Sequence, residues 1–255
     1  MNKEQIQDQG ISDDTMGLSE ETIKFLRKQH VYIGLPMYGG MCSEPTFTGL
    51  LRFAIIATKL KINFTMDTIY NESLIPRARN NLVAKFLSCP TATHLLFIDV
   101  DLGFDAEAIL QLLCNNQDIV GGLYPKKSLP ISYVVNTVKQ PNNIGENMVE
   151  VSTLGTGFMM IKRHVIEKMI AAHPELKYKD DIGYNKDCES NMYALFDTAI
   201  DPNQHYLSED WTFCYRWIQM GGHIYADTSI KLDHTGFYKF PGDPAEIRKT
   251  LSNKV

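Results

Sequence analysis

Apolar runs of strand length alternate with helical apolar spacing through the first half of the chain. This alternation predicts a parallel α/β sheet with right-handed crossovers. The predicted strands cover residues 31–35, 62–69, 94–98 and 118–124. The predicted helices cover residues 19–28, 47–60 and 106–114, with a further helix that has Pro76 in its first turn.

The second half is less regular. Residues 131–138 and 148–154 predict a hairpin, and residues 158–171 predict a strand that passes into a helix. A helix over 206–220, capped by Ser208, would bury Phe213, Trp217 and Met220. Short strands are expected at 193–196 and 223–226, and the polar segment 177–204 has the character of a functional lid. We expect one domain over 29–245, after an arm and short helix (1–28) and before a polar tail (246–255).

The predicted strand over residues 94–98 stops at Asp99 and Asp101, two carboxylates one residue apart. Ligands bind at the carboxyl edge of open α/β sheets, and residues two apart on a strand point the same way. Both side chains could therefore reach one hard cation, Mn²⁺ or Mg²⁺, which leaves positions for substrate phosphates. The alternative is structural: Asp99 caps the next helix and Asp101 belongs to a turn.

Two arginines, Arg77 and Arg79, fall near the amino-terminal end of a predicted helix. The helix dipole gives cations no advantage there, so the placement favours an anionic partner such as a diphosphate. A salt bridge to Glu72 or Asp67 is the alternative. The chain contains neither GxGxxG nor GxxxxGK[ST], which disfavours a Rossmann dehydrogenase and a P-loop kinase.

Composition narrows the class of protein. The chain has 255 residues, 44% of them hydrophobic, and its net charge of -5 disfavours nucleic acid as a partner. Five cysteines without a CxxC pair predict reduced thiols and a cytoplasmic protein. The first 17 residues lack the apolar core of a signal peptide, and no stretch is long enough to span a bilayer.

The order of these elements over residues 31–240 resembles a GT-A glycosyltransferase. The resemblance implies a sugar nucleotide, above all a UDP-sugar, at the carboxyl edge of the sheet. It places Pro36 and Tyr38 near the base, with Arg77 or Arg79 near the base or diphosphate and Asp67 among the donor-binding candidates. Asp101 would bind Mn²⁺ or Mg²⁺ directly, whereas Asp99 would hold the ribose or bind the metal through water.

A second part of the resemblance lies near the carboxyl terminus. The segment from His234 to Pro241 is similar to the H-x-x-G-x-x-K-P-W signature of family 8 retaining transferases, in which the histidine binds metal and the lysine a phosphate. His234 is thus the candidate third metal ligand, and Lys239 a phosphate ligand. The segment departs from the signature by one residue fewer before Gly236 and by Phe240 before the proline. His234 as a hydrogen-bonded loop residue is the alternative.

Glu209 and Asp210 resemble the acidic pair of family 2 inverting transferases, in which the aspartate deprotonates the acceptor. An acidic pair that stabilises a helix amino terminus is the alternative. Because family 2 inverts and family 8 retains the anomeric configuration, the stereochemistry stays open. The backbone at 155–157 could approach the sugar or acceptor, and Trp211 could stack on a sugar; either could equally be packing.

The combined expectation is a metal-dependent glycosyltransferase that transfers a hexose-type sugar from a nucleoside diphosphate to a glycan or other hydroxyl acceptor. Two other functions stay open. A sugar-nucleotide nucleotidyltransferase would show a basic, glycine-rich loop after the first strand, and residues 37–45 contain no Lys or Arg. A non-catalytic carbohydrate-binding protein would have no need of Asp99, Asp101, Asp210 and His234 together.

Overall fold

A computed structural model describes residues 17–133, 135–180, 183 and 186–252. The following strands and helices are given in chain order. The strands are β1 (His30–Met37), β2 (Asn63–Tyr70), β3 (His94–Ile98), β4 (Leu102–Phe104), β5 (Ile119–Gly122), β6 (Asn136–Thr137), β7 (Met148–Thr153), β8 (Phe158–Lys162), β9 (Ala199–Ile200), β10 (Tyr206–Leu207), β11 (Tyr225–Asp227), β12 (Leu232–Thr235) and β13 (Lys239–Phe240). The helices are α1 (Glu20–Leu26), α2 (Glu44–Leu60), α3 (Ile75–Leu87), α4 (Glu107–Asn115), α5 (Arg163–Ala172), α6 (Glu209–Gln219) and α7 (Pro244–Ser252).

A mixed central sheet has the strand order β2-β1-β3-β8-β5-β11-β7-β6. Strands β1, β2 and β3 are mutually parallel, as are β5 and β11, but β8 runs antiparallel between β3 and β5. Smaller antiparallel sheets join β9 to β10 and β4 to β12 and β13. The expected single α/β domain, with a mostly parallel sheet and a small antiparallel region, is confirmed.

Helices cover both faces of this sheet. Alternate residues of the strands point to opposite faces, so each face has its own core. Leu26, Phe53 and Ile109 of α1, α2 and α4 pack on one face. The helices α3, α5, α6 and α7 pack on the other face through these buried residues: Phe86, Ile166, Phe213 and Ile247.

Several local expectations differ from the structure. The last long helix begins at Glu209 rather than at residue 206, because residues 206–207 form β10, and Met220 at its end is exposed. Residues 193–196 form no named strand, although Phe196 stacks on Phe213 with ring centroids 4.3 Å apart. Of the first strand expected for the hairpin, residues 131–138, only the part that forms β6 pairs with β7. Residue 134 of that segment lies outside the described residues.

The carboxyl-terminal segment also differs from the expected polar tail after residue 245. Helix α7 begins at Pro244, and its Ile247 and Leu251 are buried in the core on the α3 face. These residues therefore belong to the domain. None of the helices in the described ranges has the length and apolar character needed to cross a membrane.

Candidate functional site

The candidate site forms where β3 ends and the chain turns into β4. Strand β4 pairs antiparallel with β12, which sets His234 opposite Leu102. The backbone N–H of Thr235 donates a 2.8 Å hydrogen bond to the carbonyl of Asp101. Nε2 of His234 consequently lies 3.4 Å from Oδ1 of Asp101. Two of the three residues predicted to bind metal are brought together.

The orientation of the His234 ring is set by its other nitrogen. Nδ1 lies 2.8 Å from the carbonyl oxygen of Pro125, which can only accept, so Nδ1 carries the hydrogen. Nε2, the atom facing Asp101, donates to the carboxylate when it too carries a hydrogen and offers a lone pair to a metal ion when it does not. The Tyr124 ring packs edge-on against the imidazole, with centroids 5.4 Å apart. Metal-binding histidines are commonly fixed in this way, with the distal nitrogen donating to a carbonyl.

Asp101 also accepts a hydrogen bond from the ammonium of Lys127 through Oδ2. Burial by itself would raise the pKa of Asp101, but the hydrogen bonds and positive charge of His234 and Lys127 outweigh it and hold the pKa below its usual range. The carboxylate is therefore ionised at neutral pH. Lys127 was not among the site residues predicted from the sequence. Its position just past the carboxyl end of β5, at the same sheet edge as Asp101, is the signal that could have identified it.

Asp99 points to a different partner. Its Oδ1 accepts a 3.0 Å hydrogen bond from Nη2 of Arg79, and its backbone N–H donates to the carbonyl of Gly157 at 2.8 Å. A Cβ at Gly157 would lie 2.8 Å from Oδ2 of Asp99 and 2.8 Å from the Tyr124 ring. The glycine at 157 thus has a packing role, because a side chain there would collide with both groups.

The ligand set for a metal is correspondingly small. Within the residues that the structure describes, no group of three or more His, Cys, Asp or Glu side chains is arranged to hold a metal ion. Asp101 and His234 offer one carboxylate and one imidazole nitrogen, which suit Mn²⁺. Asp99 would join them only on leaving Arg79. The pair fits a cation that takes its remaining ligands from substrate phosphates and water.

Arg79 joins the aspartate loop to the start of α6. Its side chain is 4% exposed, and its Nε lies 3.4 Å from Oε1 of Glu209 while Nη2 holds Asp99. Its Nη1 is buried without a hydrogen-bond partner among the described residues. Burial raises the pKa of Glu209, although the charge of Arg79 acts in the opposite direction. One guanidinium group therefore balances two carboxylates from separate elements.

Asp210 lies beside Glu209 in the first turn of α6. Its Oδ1 accepts hydrogen bonds from the Ser208 hydroxyl and from the backbone N–H of Trp211, the latter at 2.9 Å. The sequence predicted that the Ser208 side chain caps the helix, but it makes no capping hydrogen bond and orients Asp210 instead. The other oxygen, Oδ2, has no hydrogen-bond partner in the described part of the chain. Asp210 is held through one oxygen only.

Two other donor-binding candidates, Arg77 and Asp67, form ion pairs. Arg77 binds Glu72 with two hydrogen bonds, 2.5 Å from Nε and 2.8 Å from Nη2, which is the alternative salt bridge foreseen from the sequence. Asp67 pairs with Lys85 at 2.9 Å and accepts from the Tyr32 hydroxyl at 2.7 Å. Neither pair includes a residue of the aspartate loop.

Lys239 pairs with Asp233 at 2.6 Å. It lies opposite Thr235 on β13, so by strand alternation it is on the face of the small sheet away from His234. The phosphate-binding lysine implied by the family 8 signature is thus separated from the candidate metal ligand. Lys127, on the other hand, contacts Asp101 directly.

The loop after β1 reaches the site through its backbone. Pro36 is buried within β1 opposite Ile69 of β2, whereas Tyr38 is exposed. The N–H of Ser43 donates a 2.7 Å hydrogen bond to the carbonyl of Val100, between the two aspartates. This contact places the loop beside the aspartate turn.

Comparison with solved structures shows the fold. The chain is similar to A197 from STIV, with a TM-score of 0.50 and 18% identity, over 84% of this chain and 94% of that chain. TarS residues 1–349 from S. aureus align with a TM-score of 0.33 and 14% identity, over 66% of this chain and 54% of that chain. No protein-family model and no curated protein sequence matched the chain. At 18% identity the likeness to A197 shows the fold alone, an α/β domain of GT-A-like type.

Proposed function

We propose that the chain is a metal-dependent glycosyltransferase that transfers a sugar from a nucleoside diphosphate, above all a UDP-sugar, to a hydroxyl acceptor. The observation that carries the proposal is the pair formed by Asp101 and His234 at the carboxyl edge of the sheet. The imidazole is fixed by Pro125 with its Nε2 toward the carboxylate, 3.4 Å away. This is a nitrogen–oxygen donor pair of the type that divalent cations bind.

Asp101 and His234 would hold the Mn²⁺ or Mg²⁺ ion. The ion, once bound, would neutralise the negative charge that develops on the departing nucleoside diphosphate. Lys127 contributes a second positive charge on the same carboxylate, and its side chain is 40% exposed. A lysine ammonium on a flexible stem can move from Asp101 to a phosphate oxygen. We therefore assign Lys127 to the diphosphate, in place of Lys239.

Asp210 is the proposed general base. The Ser208 hydroxyl and the Trp211 N–H hold Oδ1, which leaves Oδ2 to accept the proton of the acceptor hydroxyl. As that proton moves to Asp210, the acceptor oxygen bonds to the anomeric carbon and the bond from that carbon to the diphosphate breaks. The electron pair leaves with the nucleotide. This assignment supports inversion, the alternative favoured by the family 2 resemblance.

Arg79 is a positioning residue that links the proposed metal site to the proposed general base. It contacts Asp99 on the loop that carries the proposed metal ligand and Glu209 next to the proposed base. Because a guanidinium group is planar and rigid, the distance between those carboxylates is constrained. Its unpaired Nη1 is buried, so it would donate to a hydroxyl of the donor sugar or ribose only where ligand binding uncovers it.

Nucleotide release from a panel of UDP, GDP and dTDP sugars tests the proposal. With Mn²⁺ present we expect release from one donor class, loss of release with EDTA, and a fall on the order of 10³-fold in Asp101→Ala. Asp105→Ala is the matched control, because Asp105 belongs to the same loop region and its side chain has no hydrogen bond or ion pair in the described residues. NMR of the product anomer then decides inversion.

Two results would contradict the proposal. One is that no donor is turned over or bound more tightly with Mn²⁺ than with EDTA. The other is that Asp101→Ala and Asp105→Ala behave alike.

A further inference from the structure

The exposed face of α2 carries an apolar stripe. Phe47, Leu51 and Ile55 are spaced by four residues and are 60%, 51% and 49% exposed. The opposite side of α2 is buried in the core through Leu50, Phe53 and other residues. A surface helix normally presents polar residues to water, so three large apolar side chains in one line are unusual. We call Phe47, Leu51 and Ile55 the α2 stripe.

Neighbouring elements extend the apolar surface. Met41, in the loop before α2, is 74% exposed. On the edge strand β2, Phe64 packs edge-on against Phe53 of α2, with centroids 5.6 Å apart. Met66, also exposed, points to the same side of β2 as Phe64 by strand alternation. The stripe is therefore part of a wider apolar region that includes the edge of the sheet.

Cations without partners border the stripe. The side chains of Arg52, Lys59, Lys61 and Lys231 form no ion pair or hydrogen bond with the described residues. Arg52 and Lys59 lie on α2 itself. Lys231 lines the same surface pocket as Arg52, a pocket that also contains Lys239 and the carboxylates of Glu44, Asp105 and Asp233. An apolar helix face flanked by Lys and Arg is typical of a helix that lies in a membrane interface. The flanking charge favours an anionic surface.

The net charge of the α2 segment is opposite in sign to that of a segment on the other side of the sheet. Residues 44–61 contain three cations and one carboxylate, a net charge of +2, whereas residues 174–205 contain three Lys and seven Asp or Glu, a net charge of -4. Phe196, in this acidic segment, packs in the core on the opposite face of the sheet, where Nδ2 of Asn80 in α3 donates to its carbonyl at 2.7 Å. A negatively charged surface would attract residues 44–61 and repel residues 174–205.

We infer that the α2 stripe and its bordering cations are a docking surface for an anionic lipid bilayer. The three apolar side chains would enter the headgroup region, and Arg52, Lys59, Lys61 and Lys231 would contact lipid phosphates. A second copy of the chain fits less well, because a two-fold contact through this face would bring like-charged cations together. The inference does not depend on the proposed catalytic activity.

Co-sedimentation of the full chain with vesicles tests this surface. We expect binding to vesicles rich in phosphatidylglycerol, weakening at high salt, and no binding to phosphatidylcholine alone. The triple change of Phe47, Leu51 and Ile55 to Ser should lower the partition coefficient at least about tenfold. Arg52→Glu should lower it by about fivefold or more, because a cation is lost and an anion added.

The controls lie elsewhere on the molecule. Leu129→Ser with Ile200→Ser removes apolar side chains that are more exposed than the stripe, and Lys168→Glu reverses an exposed charge on α5. These variants should bind vesicles as the unchanged chain does. Equal binding by the stripe variants and the controls overturns the inference, as does absence of binding to anionic vesicles. A dimer in light scattering that the stripe substitutions dissociate would overturn it in favour of a second copy.

Discussion

Two arginines on α3, separated by one residue, are used in different ways. Arg77 binds Glu72 through two hydrogen bonds, and the Glu72 side chain is 1% exposed. Arg79 is buried more deeply, yet it is shared between Asp99 and Glu209 at 3.0 and 3.4 Å and keeps one nitrogen unpaired. The Glu72 carboxylate is thus fully hydrogen-bonded by Arg77, whereas Arg79 keeps a buried N–H donor without a partner among the described residues.

The difference separates a structural ion pair from a functional one. Two nitrogens of Arg77 donate to the two carboxylate oxygens of Glu72, so this pair stabilises the fold. In the Arg79 group, a buried donor without a partner has a free-energy cost that a ligand hydroxyl could remove. We therefore expect changes at Arg77 to alter stability and changes at Arg79 to alter activity.

The largest expected effect is on activity in Arg79→Met. Loss of the guanidinium group should lower donor turnover on the order of 10²- to 10³-fold, as loss of a preorganised donor typically does. Stability should fall by only about 1–3 kcal/mol, because Asp99 is partly exposed to water and Glu209 can take up a proton. Rates per folded molecule and urea unfolding measure the two quantities. A variant with normal turnover would end the functional assignment of Arg79.

The reverse result is expected for Arg77→Met. Removing the guanidinium leaves the buried Glu72 carboxylate with the backbone N–H of Leu74 but without a cation, which should cost about 3–5 kcal/mol in the free energy of unfolding. Turnover per folded molecule should stay within about twofold, since Glu72 contacts neither Asp99 nor Asp101. If Arg77→Met lost as much activity as Arg79→Met, the two arginines would not be functionally distinct.

A smaller effect concerns pH. The hydrogen bonds from Arg77 lower the pKa of Glu72 more than burial raises it. A carboxyl whose folded pKa is depressed stabilises the fold above its unfolded pKa of about 4.3, and that stability is lost as pH falls through the folded pKa. Glu72→Gln should cost about 1–3 kcal/mol at pH 7. The gap to the unchanged protein should narrow toward pH 3 in urea unfolding, and a constant gap would contradict the pairing.

The smallest effect is expected at Lys127. Its ammonium occupies one oxygen of Asp101, so Lys127→Gln should tighten Mn²⁺ binding without nucleotide by about two- to fivefold, the scale of a partly exposed ion pair. Lys126→Gln is the matched control, because Lys126 is the adjacent exposed lysine. Electron paramagnetic resonance of free Mn²⁺ gives the affinity. Weaker binding in Lys127→Gln would show that the lysine supports the metal instead of competing with it.

The strands and helices that the sequence identified most accurately are those with long periodic patterns. His94–Ile98 is β3 as predicted, and α3 has Pro76 in its first turn and buries Leu82 and Phe86. Helical and strand periodicity depend on near neighbours, so they can be read locally. The direction of β8 could not be read in this way. Its apolar run suits a central strand of either direction, and only its pairing with β3 and β5 decides.

The candidate site was predictable in its residue types but not in its pairings. Asp101 and His234 stand out locally, one shortly after an apolar strand and the other two residues before Gly236. Lys127 and Pro125 reach them only because β4 pairs with β12 beside the end of β5. Asp99 and Asp101, expected to share a cation, separate because the chain turns between them and Arg79 binds the first. Such contacts between distant segments have no local signal.

The most direct test is Mn²⁺ binding measured by electron paramagnetic resonance with and without UDP, on the unchanged chain and on Asp101→Ala, His234→Ala and Asp105→Ala. We predict that UDP tightens Mn²⁺ binding to the unchanged chain and to Asp105→Ala. The reason is that diphosphate oxygens would add ligands to the two that Asp101 and His234 supply. Asp101→Ala and His234→Ala should each lower the affinity by at least about 10- to 100-fold. Mn²⁺ binding that UDP does not change, or that survives in Asp101→Ala and His234→Ala, would contradict the proposed site.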